Sequence, residues 1–132
     1  MIEGASSMPV LSVKDLQRAR SFYEKRLGLE ASPIGQAPGH MLLDCPDGSH
    51  LVLHEVPDMR PSPNTAAGFT VPDLERAVAE LRQHGVEFEE YDLPGLKTEQ
   101  GIAEAEGIRS AWFKDPDGNV LCLDEFEANP VR

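Results

Sequence analysis

Basic side chains are scarce in this chain. It carries 12 Lys and Arg against 23 Asp and Glu, a formal net charge of -11, with an isoelectric point near 4.7. Such a surface repels a phosphate backbone, so nucleic acid is excluded as an ordinary partner. Long apolar runs are also missing. No stretch approaches the roughly 20 residues needed to cross a bilayer, and no basic-then-apolar leader opens the sequence. The expectation is a cytosolic protein without a membrane partner, starting with a loose tail over residues 1–7. Only two cysteines are present, Cys45 and Cys122. They make no disulfide framework and their spacing fits no zinc pattern, which agrees with a reducing compartment. Aromatic residues are few as well, with Trp112 the single tryptophan. What remains is an ordinary globular balance, 40% hydrophobic and 27% charged. The length of 132 residues suits one domain, or two very small halves.

The sequence repeats itself. Val13-Lys14-Asp15-Leu16-Gln17-Arg18-Ala19 returns 58 positions later as Val71-Pro72-Asp73-Leu74-Glu75-Arg76-Ala77, with five of seven residues identical. A second element, Cys45 to Glu55, returns 70 positions later as Asp115 to Glu125, with six of eleven identical. The order of the two elements is the same in both halves, so the chain is a tandem duplication. The second half carries about 12 more residues between them.

Each half reads as one strand, one helix and three strands. Val10 to Val13 forms a short strand, and Asp15 is a natural N-cap. Leu16, Ala19, Tyr23 and Leu27 then recur at helical steps, and Gly28 stands where a left-handed C-cap belongs. The second copy offers Phe69 to Val71, the cap Asp73, the stripe Leu74, Ala77, Val78 and Leu81, and the terminator Gly85. Three strands follow each helix: Leu29 to Ile34, Met41 to Asp44 and Leu51 to Glu55, then Val86 to Tyr91, Arg109 to Lys114 and Val120 to Glu125. Pro-Asp-Gly turns join the last two strands of each set. The expected organisation is a single domain over 1–132: module one at 8–56, a proline-rich linker at 57–65, and module two at 66–127. The stretch from Asp92 to Gly107 is a long excursion, expected to be either a lid or a surface and dimer contact.

A sheet with a helix on one face leaves the other face bare, and two such modules can enclose a cleft. The paired "DL.RA" openings and the closing "KDPDGNVLCLDEF" resemble the glyoxalase / bleomycin resistance / dioxygenase superfamily, the vicinal-oxygen-chelate fold. The resemblance covers roughly Met8 to Phe126. It implies an α+β fold of two tandem βαβββ modules forming an open curved sheet around a cleft. It leaves the chemistry open, because lyases, dioxygenases, thiol transferases and drug binders share that fold.

Metal-using members of the resembled family place four ligands, usually His, Glu or Gln, on cleft-facing strands. The corresponding positions here are Met8, Ala66, Val52 and Cys122. That set does not hold a hard or borderline divalent cation, so neither metal nor other cofactor is expected. In related antibiotic-modifying members the residue ten before the last ligand lines the pocket, which here is Trp112. Strand alternation adds neighbours. Val10 and Ser12 share a face with Met8. His54 flanks Val52, with His50 before it. Ser110 shares the face of Trp112, and His40 and Leu42 are the first-half counterparts. Asp124 goes with Cys122, and Thr70 and Gly68 with Ala66. The expected ligand-binding set is therefore Met8, Val10, Ser12, His40, Leu42, Val52 and His54, with Ser110, Trp112 and Cys122.

His40 and His54 are expected side by side, where they could do acid–base work or remain structural. Trp112 either lines the cleft or closes the core under a helix. Cys122 reads as a small buried hydrophobe more than as a nucleophile. The favoured function is a binder of a small apolar or aromatic molecule, working as a homodimer with the usual metal site absent. The alternatives are a metal-dependent lyase or dioxygenase recruiting His40, His54, Asp124 or Glu55, and an interaction module with a filled cleft.

Overall fold

A computed structural model describes residues 2–127. The chain divides into two compact units, with the boundary between Arg60 and Pro61. The first contains β1 (Val10–Val13), α1 (Leu16–Lys25), β2 (Glu30–Pro33), β3 (His40–Asp44) and β4 (His50–Glu55). Its sheet has the order β1-β4-β3-β2. β1 runs parallel to β4, and the other pairs are antiparallel. The second contains β5 (Thr65–Thr70), α2 (Leu74–Gln83), β6 (Asp92–Leu93), β7 (Leu96–Lys97), β8 (Ala103–Ala105), β9 (Ile108–Lys114) and β10 (Val120–Phe126). Its main sheet has the order β5-β10-β9-β8, again with one parallel pair. Both units are α+β, as the sequence pattern requires, and each sheet is open.

The repeated residues explain why the two units fold alike. Asp15 accepts a hydrogen bond from the Arg18 amide at 3.0 Å, and Asp73 accepts one from the Arg76 amide at 3.2 Å. Each is an N-cap in extended backbone, supplying an acceptor to a helix end that has free N–H groups. A second carboxylate arrives from the last strand of the same unit. Glu55 accepts from the Leu16 amide at 2.8 Å, and Glu125 accepts from the Leu74 amide at 2.9 Å. Gly28 and Gly85 then end the helices at φ +72° and +86°, the left-handed conformation that glycine adopts without steric cost.

Because Glu55 touches α1, side-chain alternation places Leu51 and Leu53 on the helix-covered face. With Leu11, Val13, Met41 and Leu43, paired across the sheet, they are buried together with Ala19 and Tyr23 of α1. The same logic from Glu125 places Leu121, Leu123, Ala111 and Phe113 under α2, where Leu74 and Val78 are buried. Each large side chain so buried contributes about 1.5–3 kcal/mol.

The second unit departs from the sequence expectation at its outer edge. Val86 to Tyr91 is not a strand. Toward β9 it makes one bridge, Phe88 to Phe113, and one amide bond, Glu89 N–H to the Trp112 carbonyl at 2.8 Å. The other half of β9 is taken by β8, through Ala103–Ser110 and Ala105–Ile108. The edge position is thus shared by two short segments, because the excursion after Tyr91 carries the chain off the sheet and back. The excursion is itself folded. β6 and β7 pair as a small hairpin, and the buried Thr98 closes its base. Its hydroxyl accepts from the Tyr91 amide at 2.7 Å, and its amide donates to the Tyr91 carbonyl at 2.9 Å. Arg82 of α2 then grips the Gln100 carbonyl at 2.8 Å. β5 also begins at Thr65, four residues before the Phe69 expected from the pattern, and ends at Thr70.

Replacing Glu125 by Ala removes the acceptor for the Leu74 amide and one of the carboxylates beside Arg109. The expected loss is about 1–2 kcal/mol of unfolding free energy, read as a lower urea midpoint at constant m-value. An unchanged midpoint would mean that water satisfies the helix start equally well.

Candidate functional site

The residues proposed from the sequence to bind a ligand, apart from Met8 ahead of β1, lie on the faces that the helices leave uncovered. In the first unit, cross-strand pairs set Val10 against Val52, Ser12 and His40 against His54, and Leu42 against Val52. All alternate with the helix-facing leucines. His40 and His54 stack with ring centroids 4.3 Å apart and planes within 7°, as the strand parity predicts. His40 Nδ1 lies 2.9 Å from the Pro38 carbonyl oxygen. That oxygen only accepts, so Nδ1 is the donor. Lone pairs of parallel imidazoles lie in parallel planes and do not converge on one point, so the stack is a poor chelate. Val52 is buried, whereas Val10 is 60% exposed and Met8, ahead of β1, is 49% exposed.

The second unit places Ser110, Trp112, Cys122 and Asp124 on its uncovered face, with Gly68 and Thr70 beside them on β5. Trp112 is half-buried, and its Nε1–H donates to Thr65 Oγ1 at 3.3 Å. The ring of Tyr91 meets it edge-on, centroids 5.6 Å apart. The indole is therefore on the sheet face away from α2. Two donors converge on one carboxylate oxygen: Ser110 Oγ–H at 2.5 Å and Cys122 Sγ–H at 3.2 Å both reach Asp124 Oδ1. Burial, and then the bond to Asp124 and its negative charge, push the Cys122 thiol from its ordinary 9.0 up to about 12. At neutral pH it is a protonated donor without nucleophilic character.

The four positions at which the resembled family carries metal ligands fit a divalent cation poorly. Met8 is an exposed thioether, Val52 an aliphatic side chain, and Ala66 the extra residue at the β5 bulge opposite Val120 and Leu121. Cys122 holds its proton. Among the described residues no three His, Cys, Asp or Glu side chains are grouped to hold a metal ion. Glu55, a candidate replacement ligand, faces α1 and is engaged with Leu16. His50 is paired with Asp44 at 2.6 Å.

Two features escape sequence reasoning. The Ser110–Asp124 bond joins residues 14 apart, and only the β9–β10 register reveals it. Tyr91 reaches Trp112 because residues 88–91 run beside β9, where the pattern indicated an unbroken strand. A separate groove of about 820 Å³ lies on the other side of the second unit, between α2 and residues 97–104. Its charges are largely engaged with one another. Arg109 meets Glu75 at 2.7 Å, Glu125 at 3.6 Å and Glu104 at 3.7 Å, and Arg82 is held by Gln100 and by the face of Phe88.

The thiol environment sets a testable order. At pH 8 an alkylating reagent is expected to modify Cys45 in the native protein and to reach Cys122 only after denaturation, as read by peptide mass spectrometry. The raised folded value also fixes a pH dependence. Above 9.0 the unfolded thiol ionises while the folded one stays protonated up to about 12, so the unfolded state binds fewer protons. The contribution is fully present below 9.0 and declines as pH rises toward 12. Relative to Cys122→Val, the native protein should therefore lose stability across that window. Labelling of Cys122 as fast as Cys45 would contradict the assigned environment.

The model of the glyoxalase/bleomycin resistance protein/dioxygenase superfamily matches residues 7–123. No curated protein matches the sequence. Solved structures with the same fold include a glyoxalase family protein from Bacillus anthracis, with TM-score 0.74 and 17% identity, covering 96% of this chain and 99% of that one. A glyoxalase/bleomycin resistance protein/dioxygenase from Alicyclobacillus acidocaldarius has TM-score 0.69 and 20% identity, covering 95% and 93%. TnmS3, an antibiotic binding protein from Streptomyces sp. CB03234, has TM-score 0.70 and 23% identity, covering 93% and 98%.

Proposed function

Since the chain belongs to the glyoxalase/bleomycin resistance protein/dioxygenase superfamily, we propose that it binds a small apolar or aromatic molecule on its uncovered sheet faces, without a catalytic metal. The observation that carries this reading is how the two copies differ. Along β4 and β10, the helix-facing positions are the same in both: Leu51 and Leu121, Leu53 and Leu123, Glu55 and Glu125. The alternate positions are different in every pair: His50 and Val120, Val52 and Cys122, His54 and Asp124. Residues that pack the helix are held by the fold itself, whereas residues on the other face are free to suit a ligand. The alternate face of the first unit carries Leu42, Val10 and the imidazole stack, and that of the second carries Trp112; each favours a flat apolar body over a sugar or phosphate. An antibiotic-binding neighbour with the same fold supports a binding role.

The donor set argues against the metal-dependent alternative. Met, Val and Ala supply no ligand for a divalent cation, and a thiol held by Asp124 supplies none until it loses its proton. The proposal also includes a cytosolic homodimer, because sheet edges left open by two short modules invite pairing between chains. Native mass spectrometry of protein purified without chelator should give a particle of twice 14.5 kDa with no stoichiometric metal. One Zn, Mn, Ni or Fe per chain would favour the metal-dependent alternative instead.

Trp112 provides the direct test. It is the single tryptophan, so a bound aromatic molecule is expected to quench or shift its emission without interference. Trp112→Ala should weaken such a ligand by about 1–3 kcal/mol while leaving the melting temperature nearly unchanged. A collapse in stability of about 3–5 kcal/mol, as a core tryptophan would show, with affinity unchanged, would overturn the assignment.

A further inference from the structure

Asp124 has one oxygen that the fold uses and one that it does not. Oδ1 accepts from Ser110 and Cys122, whereas Oδ2 receives no donor, and no cation pairs with this carboxylate among the described residues. Lys114, two residues past Trp112 on the same face, is held by Glu89 at 3.4 Å, and Arg109 faces α2. The space beside Oδ2 is kept open by Gly68. A Cβ built there would lie 3.7 Å from Oδ2 and 3.9 Å from the Cys122 carbonyl oxygen, and would meet nothing else within 4 Å. Trp112 is the diagonal neighbour of Asp124, because Cys122 pairs with Trp112 and Asp124 with Ser110. Such neighbours lie roughly 7–8 Å apart at Cα, within reach of a large ring. Tyr91 extends the aromatic surface.

Resting on the ligand-face reading above, we propose that the second unit selects a protonated amine attached to a flat apolar body, with Asp124 Oδ2 as counter-ion and Trp112 against the body. The carboxylate is preorganised, since Ser110 and Cys122 fix its rotamer before a ligand arrives. A neutral ligand would leave the half-buried carboxylate facing apolar surface and unpaired, which is unfavourable. An anion would be repelled both here and by the net charge of -11, which concentrates cations near the surface. Trp112 can add a cation–π attraction if the amine carbon approaches its face.

The test uses two probes with the same ring system, naphthylmethylamine and naphthylmethanol, titrated into the whole protein by calorimetry at pH 7. The amine should bind about five- to tenfold more tightly than the alcohol, and the difference should shrink with added salt. Asp124→Asn keeps an acceptor for Ser110 and Cys122, so it should fold, and it should lower the amine to the affinity of the alcohol while leaving the alcohol unchanged. Gly68→Ala, which places a methyl group beside Oδ2, should reduce the amine's advantage with no loss of thermal stability. Equal affinities in the native protein, or an advantage that survives Asp124→Asn, would overturn the amine assignment alone, since the alcohol would still report an aromatic site at Trp112. If neither probe binds or perturbs Trp112 emission, the ligand-face reading falls, and this inference with it.

Discussion

The first amide of each helix is held by a carboxylate from the strand that closes the same module. Glu55 reaches Leu16 and Glu125 reaches Leu74, across 39 and 51 residues of sequence. This contact decides more than a helix end. It fixes which side of the final strand faces the helix, and the two-residue period of the strand then assigns every other side chain to one face or the other. A slip of one residue would turn the leucines out and bring Cys122 and Asp124 under α2. The negative charges also lie at the positive end of the helix dipole, where they are most favourable.

The duplication, the strand–helix–strand order, both N-caps and both terminating glycines were legible in the sequence because they depend on local chemistry. So was the face shared by His40 and His54, since alternation along β3 and β4 needs no long-range information. The edge of the second sheet was not legible. Val86 to Tyr91 has a strand-like composition, and only the tertiary closure at Thr98, and at Arg82 with Gln100, shows that a later segment takes half of its place. The bulge at Ala66 was hidden in the same way, because one extra residue in an edge strand leaves no mark on a hydrophobic pattern. The partner of Asp124 required the strand register.

By the repeat, the stacked imidazoles of the first unit and the Ser110–Asp124 pair of the second occupy equivalent positions. One framework therefore presents two chemistries: a pair of stacked imidazoles, and a carboxylate beside an indole. Duplication lets the two change separately. Neither set contributes to packing under a helix, so substitution there leaves the buried leucines undisturbed.

The excursion after Tyr91 has a consequence for how this protein could change length. Both strands of its base are tied at Tyr91 and Thr98, and the chain beyond is clamped again at Gln100. The hairpin tip around Pro94 and Gly95 is therefore mechanically isolated from the sheet. Residues inserted there add only the slowly growing entropy of a longer loop, and neither the register of β9 nor the position of Trp112 would sense them. The tip is a natural attachment point, where a tag, a reporter or a longer loop would be carried without passing strain to the face that holds Trp112.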